Sequence, residues 1–593
     1  MTATLEKATV NGEERSVHGV KDVTKPGDPG TRTAEVRSIM EHGHAPLIWN
    51  PDMNKGTAFT AEERKEKGLE GLLPPIVETI ELQAERVMLQ LRNDCGTDLA
   101  RYVLLYQLGT HNRALLYYVL INNLEELAPI VYTPIVGEAC QKFDRIYRSA
   151  MGMFFDAFAQ RGHFRKMLDN WPSHNVQIIV VSDGSRILGL GDLGVNGMGI
   201  PLGKIQLYVA GGGFHPEHSL PAIIDSGTNT KDNIEDKFYF GNKKPRLSQE
   251  ESVAAVEEFC MAVHDKWPNC LVQFEDFETS LAFAILEKMR NRLLCFNDDI
   301  QGTGAVVTTG FLNGMKAQGT PLGEAKVVFY GAGSSAVGVA SMIARLIELD
   351  AKISAEDARK AIFMVDSKGL ITTSRGDKLP SHKQQMARRD DTPNMKDLRE
   401  IIEYVKPHAL IGLSGAGPMF KQDAIEELCH HVEKPLVFPL SNPTDKAEIT
   451  AEHAYEWTHG QAIFASGSPF KPYEYEGNML VPGQANNVLI FPGVGFGAVM
   501  SKAKKVTDEM MLAAARALAD FVSPEDIKRG KLYPDIKDLR AVSAVVATKV
   551  AEEALSQGLG SMEAPSEGLH KFITDRMWDP RKPSLNLSRT VGL

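Results

Sequence analysis

Two stretches decide the fold of this chain: Leu271-Val-Gln-Phe-Glu-Asp-Phe277 and Leu293-Leu-Cys-Phe-Asn-Asp-Asp-Ile-Gln301. In each stretch an apolar run typical of a buried strand ends in a short acidic cluster. The residues between them, from Thr279 to Met289, have the pattern of a helix. A strand, a helix and a second strand in this order predict a parallel β-α-β unit. We therefore expect the carboxyl ends of the two strands, with their acidic clusters, to lie side by side.

Three carboxylates would meet at this edge of the sheet, those of Glu275, Asp276 and Asp299. Carboxylates this close repel one another unless a cation lies among them. A site made only of oxygen atoms suits Mg²⁺ or Mn²⁺ and does not suit zinc. The sequence therefore predicts a divalent metal site. An acidic helix N-terminus is the alternative interpretation of either cluster when it is taken alone.

A glycine-rich loop from Gly331 to Gly338 follows the apolar run Val327–Tyr330 and opens an apolar helix. In such a loop the first glycine, Gly331, allows a tight turn, and Gly333 admits a pyrophosphate. Ala336 lets the helix pack closely on the sheet. A strand, this loop and a helix in succession predict a Rossmann-type dinucleotide-binding domain.

The ends of later strands bear on which dinucleotide is bound. Asp366 supplies the acid expected after the second strand of such a domain. Ser367 is small and can donate a hydrogen bond, and Lys383 lies in a basic stretch, as a ribose 2′-phosphate would require. The sequence therefore favours NADP, with NAD as the alternative, although Lys383 could also be a solvated loop lysine. Gly415 and Gly417 end another strand and are interpreted as the cofactor-facing rim of the same sheet.

Composition sets the broad class of protein. The chain has 593 residues, of which 43% are hydrophobic and 24% charged, and it is long enough for several domains. A net charge of −11 argues against nucleic acid or a membrane as the main partner, but it does not exclude a small anionic substrate. The cysteines have no paired spacing and are expected to be reduced. We expect a cytoplasmic protein, with an organellar presequence as the weaker interpretation of the acid-bearing N-terminus.

The order of patterns along the chain predicts an α/β fold with a helical N-terminal domain, a parallel-sheet substrate domain and a Rossmann-type dinucleotide-binding domain. Strand and helix patterns alternate from Val176, and Arg186–Leu190 and Ile205–Val209 are among the predicted strands. The predicted division is a disordered tail over 1–35, a helical N-terminal and oligomerisation domain over 36–150, a substrate and metal-binding domain over 151–298 that resumes over 488–560, a dinucleotide-binding domain over 299–487, and a C-terminal extension over 561–593.

Longer motifs point to a known family. They include Val131-Tyr-Thr-Pro134, Ile187-Leu-Gly-Leu-Gly-Asp-Leu-Gly194, Phe296-Asn-Asp-Asp-Ile-Gln-Gly-Thr303 and Phe464-Ala-Ser-Gly-Ser-Pro-Phe470. With these motifs in this order, the chain closely resembles the malic enzymes, the oxidative decarboxylases of malate, from about residue 64 to residue 582. The resemblance implies the NADP-preferring branch, L-malate as substrate, and a homodimer or homotetramer.

The resemblance also implies roles for individual residues, which we carry over only where the motif matches. Glu275, Asp276 and Asp299 match metal ligands, Lys204 the general base, Tyr132 the general acid, Arg186 a substrate-carboxylate ligand, and Asn442 and Asn487 the lining of the substrate and nicotinamide pocket. A lysine acting as a base needs a lowered pKa, which we expect the pocket to provide. Taken singly, Tyr132 could instead be a core tyrosine and Lys204 a solvated lysine at a strand edge.

Other functions compete with oxidative decarboxylation of malate. An oxaloacetate decarboxylase or malolactic-type enzyme would release no reduced cofactor, so NADPH absorbance with malate and Mn²⁺ separates it. A non-catalytic, cofactor-sensing homologue would show no turnover with malate. An amino-acid dehydrogenase of similar two-domain plan does not need the carboxylate trio, so its activity would survive a chelator.

Overall fold

The computed structural model of the protein describes residues 46–376, 379–442, 444–563 and 565–582. The predicted tail over 1–35 lies outside these residues. The first described part is helical, as predicted, and several of its helices begin at side-chain caps, such as Thr79 and Thr97. The helices of this part are Pro46–Trp49, Ala61–Glu66, Ile80–Asn93, Asp98–His111, Arg113–Asn122, Leu124–Val131, Ile135–Gln141 and Phe143–Ile146.

A parallel five-stranded sheet follows. Its strands are β1 (Met153–Asp156), β2 (Ile178–Ser182), β3 (Ser219–Asp225), β4 (Leu271–Phe274) and β5 (Cys295–Asn297), in the order β1-β3-β2-β4-β5. The helices of this part are Phe164–Leu168, Gly199–Ala210, Lys231–Glu235, Gln249–Lys266 and Thr279–Met289. Helix Thr279–Met289 joins β4 to β5, and these two strands pair in parallel. The predicted β-α-β unit is therefore confirmed.

A seven-stranded sheet forms the next part of the chain. Its strands are β6 (Val327–Tyr330), β7 (Ile362–Asp366), β8 (Gly369–Leu370), β9 (Ala409–Gly412), β10 (Leu436–Pro439), β11 (Ile463–Ser466) and β14 (Gly483–Gln484), and β12 (Tyr473–Tyr475) and β13 (Asn478–Leu480) form a separate hairpin. The order is β14-β11-β10-β9-β6-β7-β8, and the neighbours are parallel except at β7 and β8. The helices are Thr303–Gln318, Ser334–Ala351, Ala355–Arg359, Ser381–Gln384, Leu398–Val405, Gln422–His431 and Ala451–Trp457. A first strand, β6, between β7 and β9 is the Rossmann arrangement predicted from the sequence.

The chain then returns to helix and packs against the first sheet and against helix Thr303–Gln318. The last helices are Phe491–Met500, Asp508–Asp520, Pro524–Lys528, Leu539–Ser556 and Leu569–Arg576. A Cβ added at Gly495 would lie 2.6 Å from the ring of Tyr208 and 3.1 Å from Leu271, so this glycine allows helix Phe491–Met500 to contact the first sheet closely. The hydroxyl of Thr309 donates to the carbonyl of Ala515 (3.0 Å). This bond joins helix Asp508–Asp520 to helix Thr303–Gln318, which precedes the second sheet.

Two predicted strands are wrong. Arg186–Leu190 is a tight loop in which Ile187 and Gly191 form a single antiparallel bridge and Leu188 has a positive φ of 48°. Ile205–Val209 belongs to helix Gly199–Ala210, in which every residue is buried. The periodicity of a short apolar run with no polar face does not distinguish a strand from a helix. Because this helix is buried on all sides, its sequence lacks the alternation of apolar and polar residues that identifies a surface helix.

In the part of the chain that the structure describes, no single helix is both long and apolar enough to cross a membrane. The segments Arg113–Asn122 and Leu124–Gln141 meet the length and composition criteria only as a pair, and they are bent by 119° relative to each other. Leu116, Val119 and Leu127 within this pair are buried in the hydrophobic core.

Candidate active site

The three predicted metal ligands converge at the carboxyl ends of β4 and β5. Glu275, Asp276 and Asp299 each offer an oxygen, and these oxygens all lie within 4.8 Å of one another. Asp299 lies in one turn of π-helix, Asp298–Gly302, which follows β5 directly. The backbone N–H of Asp276 donates to Oδ2 of Asp299 (2.8 Å), which fixes one acidic cluster against the other. The convergence expected from parallel strands is therefore observed.

The environment of these carboxylates favours a bound cation. Burial raises the pKa of Glu275 and of Asp276 well above the usual carboxyl range, and it raises the pKa of Asp299; the charges of neighbouring acids act in the same direction. Oδ2 of Asp276 is buried and has no hydrogen-bond partner among the described residues. A buried oxygen without a partner is costly unless a ligand supplies one. These donors therefore fit Mg²⁺ or Mn²⁺.

Lys204 lies in the middle of helix Gly199–Ala210, and none of its side chain is exposed. Its Nζ forms an ion pair with Asp298 and a second with Oε1 of Glu275 (2.9 Å). The alternative of a solvated lysine at a strand edge is therefore wrong. The neighbouring acids oppose the lowering of the pKa that a base at this position needs. Burial acts to lower the pKa, but the charges of Asp298 and Glu275 outweigh it and hold the pKa well above its usual value.

Tyr132 is the residue that follows helix Leu124–Val131, and it is 7% exposed. Its ring centroid lies 5.4 Å from Nζ of Lys204, and the ring of Phe491 lies 4.3 Å from the same atom. Burial raises the pKa of Tyr132 well above that of an ordinary tyrosine. The hydroxyl of Tyr132 therefore stays protonated near neutral pH and can act as a proton donor.

The structure brings Asn487 and Arg186 to the same region. Nδ2 of Asn487 donates to Oδ2 of Asp298 (2.8 Å) and to the hydroxyl of Thr303 (3.0 Å). The side chain of Arg186 is exposed, and its Nη1 donates to the hydroxyl of Thr279 (2.6 Å). The Arg186 guanidinium is close enough to oppose the rise in pKa of the neighbouring acidic cluster. Asp298 was not assigned a role from the sequence, although its position beside Asp299 was the available signal.

The glycine loop after β6 has the conformation of a phosphate cradle. Gly331 has a φ of 123°, and an added Cβ would collide with the carbonyl of Leu413. Helix Ser334–Ala351 begins directly after Gly333, where an added Cβ would meet nothing within 4 Å. The open space beside Gly333 and the helix N-terminus fit a pyrophosphate. Ala336 is buried on the inner face of this helix.

The helix that follows the dinucleotide loop packs against the turn that carries Asp299. An added Cβ at Gly338 would lie 2.5 Å from the carbonyl oxygen of Ile300, in the π-helical turn that carries Asp299. The glycine therefore lets the dinucleotide helix approach the carboxylate cluster. This close packing brings the predicted metal site and the predicted cofactor site together.

The acid at the end of β7 is held by two cations. Arg375 donates to both carboxylate oxygens of Asp366 (2.8 and 3.1 Å), and Nζ of Lys383 donates to Oδ2 (2.9 Å). Partial burial acts to raise the pKa of Asp366, but the bonds from Arg375 and Lys383 give a net lowering. Ser367 is exposed beside this cluster. Arg375 was missed in the sequence because its pairing depends on the loop that follows β8.

Asn442 lies just beyond β10, on the same edge of the second sheet. The hydroxyl of Ser468 donates to its Oδ1 (2.6 Å). Asn442 is exposed, so its side-chain nitrogen can reach a ligand above the strand ends. Asn442 and Asn487 approach the site from different segments, one from the dinucleotide sheet and one from the returning chain.

A dinucleotide-type sheet whose first helix packs against a turn bearing a buried carboxylate cluster is typical of a metal-assisted dehydrogenase. Residues 109–290 match the family model for the malic enzyme N-terminal domain, and residues 300–555 match the model for the malic enzyme NAD-binding domain. The chain is 52% identical to an NADP-dependent malic enzyme of Dictyostelium discoideum, over 90% of this chain and 97% of that protein. It is 46% identical to an NADP-dependent malic enzyme of Phaseolus vulgaris, over 90% of each.

A solved malic enzyme from Entamoeba histolytica has a similar structure. Its TM-score is 0.54 at 25% sequence identity, and the similarity covers 76% of this chain and 81% of that one. The two relatives that are 52% and 46% identical each match over 90% of this chain. The chain therefore belongs to the malic enzyme family. The predicted family and the α/β fold are therefore confirmed.

Proposed function

We propose that this protein oxidatively decarboxylates L-malate to pyruvate and CO₂ with reduction of NADP, and that the reaction depends on Mg²⁺ or Mn²⁺. One observation carries the proposal: a fully buried lysine, Lys204, pairs with Asp298 and Glu275 within a carboxylate cluster, and the turn that carries Asp299 packs against the dinucleotide helix. A buried cation among ionisable groups with strongly shifted pKa values is expected of a proton-transfer site. NAD is the weaker alternative acceptor.

Glu275, Asp276 and Asp299 are the proposed metal ligands. A divalent ion held there would acidify the C2 hydroxyl of malate and later stabilise negative charge at that oxygen when the C4 carboxylate leaves. Oδ2 of Asp276, which is buried without a partner, supports this assignment most directly. Gln273 donates through Nε2 to Oε2 of Glu275 (2.8 Å) and so orients one of the proposed ligands.

Lys204 is the proposed general base, and its Nζ would accept the proton of the C2 hydroxyl. It must be neutral when it does so. Glu275 is shared between Lys204 and the proposed metal site, so a cation engaged by Glu275 would offset part of the negative charge that raises the pKa of Lys204. Asp298 then remains to hold the lysine in position.

Tyr132 is the proposed general acid, and its hydroxyl would give a proton to C3 of the enolate after CO₂ leaves. Its raised pKa keeps the hydroxyl protonated until the enolate has formed. The approach of Lys204 to the Tyr132 ring supports a shared role, because the protonated lysine can return its proton to the tyrosine. Both residues are buried, which favours proton transfer between them over exchange with water.

The remaining proposed contacts hold the substrate and the dinucleotide. Arg186 would bind a substrate carboxylate, and Asn442 and Asn487 would line the pocket between substrate and nicotinamide. The cofactor would accept the hydride from C2 of malate and rest on Gly331, Gly333, Ala336, Asp366, Ser367, Lys383 and Asn442. The pairing of Asp366 with two cations supports NADP, because cations at this strand end suit a 2′-phosphate.

The first test is NADPH formation with malate and Mn²⁺, followed by absorbance. Asp299→Asn should abolish metal-dependent decarboxylation of oxaloacetate, because it removes one proposed ligand. Glu433→Gln is the matched control, since Glu433 is an exposed acid outside the site. Equal activity in the two variants would refute the metal assignment. Malate consumed without NADPH would instead identify a malolactic-type enzyme.

The domain division and the assembly belong to the same proposal. The substrate domain is 151–298 with 488–560, the dinucleotide domain is 299–487, and the helical part is the surface for subunit contacts. Trp49 (71% exposed), Ile76 (60%) and Leu89 (52%) are large apolar side chains on this part, which supports a homodimer or homotetramer. Light scattering after size exclusion tests it, and Leu89→Glu should shift the mass towards a smaller species.

The cytoplasm is the proposed location. All six cysteines are free, and free thiols suit a reducing compartment. Fractionation of cells with a marker for each compartment tests this directly. Recovery of the protein in an organellar fraction would contradict the proposed location and would favour a presequence.

A further inference from the structure

Glu448 is a carboxylate buried under the cofactor-facing edge of the second sheet, with no exposed surface. Its Oε1 accepts hydrogen bonds from the backbone N–H of Ser414 (2.8 Å), the hydroxyl of Ser414 (2.8 Å) and the hydroxyl of Ser441 (2.5 Å). Its Oε2 accepts a longer bond from the N–H of Ser441 (3.4 Å). No described cation forms an ion pair with this carboxylate. Its charge is therefore stabilised by groups on two strand ends.

The two serines extend this network into the loop that follows β9. Because each hydroxyl donates to Glu448, each is left as an acceptor. The hydroxyl of Ser441 accepts from the N–H of Gly415 (2.8 Å), and the hydroxyl of Ser414 accepts from the N–H of Ala416 (3.2 Å). Gly415 has a φ of 66°, a left-handed conformation that the network holds. One carboxylate thus fixes the path of the loop.

The same carboxylate reaches the dinucleotide loop through backbone packing. An added Cβ at Gly412 would lie 2.5 Å from Cδ of Glu448, so glycine is needed there to admit the acid. An added Cβ at Gly331 would lie 2.9 Å from the backbone nitrogen of Ser414, so the first glycine of the dinucleotide loop rests on the segment that Glu448 holds. The ends of β6, β9 and β10 are therefore joined at one buried acid.

We infer that Glu448 is a positioning residue for hydride transfer. It fixes the conformation of the ends of β9 and β10, against which the nicotinamide half of the dinucleotide would lie. Ligands of this sheet type bind at the carboxyl ends of the strands, at the point between β6 and β9 where the strand order reverses. Asn442, a proposed lining residue of the nicotinamide pocket, directly follows Ser441. The inference rests on the proposed function, because it assigns Glu448 to the cofactor side of that site.

The inference separates two half-reactions. Oxidation of malate needs the nicotinamide held in position, whereas decarboxylation of oxaloacetate needs the proposed metal site, Lys204 and Tyr132, which lie outside the second sheet. Loss of the Glu448 charge should therefore impair the first reaction and leave the second. A residue that only stabilises the domain would affect the two reactions together.

Glu448→Gln is the informative variant, because the amide keeps the size of the side chain but replaces one acceptor by a donor that faces serine donors. We expect the amides of Gly415 and Ala416 to exchange hydrogen faster in the unliganded variant. The affinity for NADP, measured by calorimetry, should weaken by about 10-fold or more, as expected when charged hydrogen bonds are lost. The rate of malate oxidation should fall, and Mn²⁺-dependent oxaloacetate decarboxylation should not.

Glu427→Gln is the matched control. Glu427 is also a buried glutamate of the same domain, but it pairs with His431 and Arg399 on the outer side of helix Gln422–His431. This control should leave exchange at Gly415 and NADP affinity unchanged. If Glu448→Gln does not fold, Ser441→Ala tests the same link with a smaller change, and it should also speed exchange at Gly415.

Unchanged exchange at Gly415 and unchanged NADP affinity in Glu448→Gln would overturn the inference. A parallel loss of oxaloacetate decarboxylation would also overturn it, because that result indicates general destabilisation. The exchange and calorimetry measurements need no malate turnover. Their failure is therefore distinguishable from failure of the proposed function, which would appear as absent NADPH formation in the unmodified protein.

Discussion

Lys204 and Asp298 form an ion pair in which neither side chain has any surface exposed to solvent. Asp298 also accepts a hydrogen bond from Asn487, so the same carboxylate connects the helix that carries the lysine to the chain returning from the second sheet. A buried charge is tolerated only when its partner is in place. The position of the proposed base therefore depends on an acid that is not itself among the three proposed metal ligands.

Removing the lysine should cost stability as well as activity. In Lys204→Met, the carboxylates of Asp298 and Glu275 lose their cation, and we expect the free energy of unfolding to fall by about 3 kcal/mol. Urea denaturation of the metal-free protein measures this change. Lys316→Met is the control, because its ion pair with Asp520 is solvent-exposed and should be worth less than about 1 kcal/mol. Equal stability of the two variants would contradict the buried-pair interpretation.

The carboxylate cluster should make stability depend on pH and metal together. Raised pKa values of Asp276 and Asp299, neither of which pairs with Lys204, mean that the folded state keeps protons that the unfolded state releases. The metal-free protein should therefore lose stability as the pH rises above about 4, the ordinary carboxyl pKa, and through the raised pKa values of the folded state. The raised pKa of Lys204 keeps it charged throughout this range, so it does not change the sign. Thermal unfolding in a chelator checks the slope.

Addition of Mn²⁺ should reverse this loss. Metal binding requires deprotonated ligands, so the stabilisation should be larger at about pH 8 than at about pH 5, and should reach about 2.7 kcal/mol when the free metal is 100 times its Kd. Asp299→Asn should flatten both the pH slope and the response to Mn²⁺. The same response in Asp299→Asn as in the unmodified protein would place the metal elsewhere.

Lys383 should contribute to the choice between NADP and NAD. Loss of its charge in Lys383→Ala should raise the KM for NADP by about 10- to 100-fold, as expected for a hydrogen bond between charged groups, with little change for NAD. Initial-rate titrations of the two cofactors measure this preference. Arg389→Ala is the control, because Arg389 is an exposed cation of the same basic stretch. An unchanged preference in Lys383→Ala would remove the basis for assigning it to the 2′-phosphate.

A buried chain of hydrogen bonds should tune the metal affinity. The hydroxyl of Tyr208 donates to Oε1 of Gln273, and Nε2 of Gln273 donates to Glu275. Gln273→Leu leaves Glu275 without this donor, so we expect Mn²⁺ affinity to fall by about 10-fold, the lower end for partners of metal ligands. Tyr208→Phe removes only the outer link and should have a smaller effect. Free Mn²⁺, followed by electron paramagnetic resonance, gives both values.

The β-α-β unit at the site could be predicted from the sequence because its signals are local. Helix Thr279–Met289 has the bounds that its apolar pattern predicted, and Glu278 caps it by accepting from the N–H groups of Ser280 and Leu281. The convergence of the acidic clusters then followed from the geometry of neighbouring parallel strands. No long-range contact had to be known.

The surroundings of the proposed base could not be predicted in this way. Helix Gly199–Ala210 is buried on all sides, so its sequence has no polar face that would distinguish it from a strand. The partner of Lys204 lies 94 residues away, at Asp298, and no spacing rule connects two such positions. The pairing of Asp366 with Arg375 likewise depends on the conformation of the loop that follows β8. Pairing across a folded core requires the tertiary structure.

Asp276 has a positive φ of 54°, a backbone conformation that aspartate and asparagine tolerate better than larger residues. Its carbonyl accepts from the N–H of Arg186 (3.1 Å), and its N–H donates to Asp299, so the backbone is tied on both sides. Glutamate would keep the negative charge but resist this conformation, and asparagine would adopt the conformation but lose the charge. Aspartate is therefore the natural side chain that meets both requirements at this position.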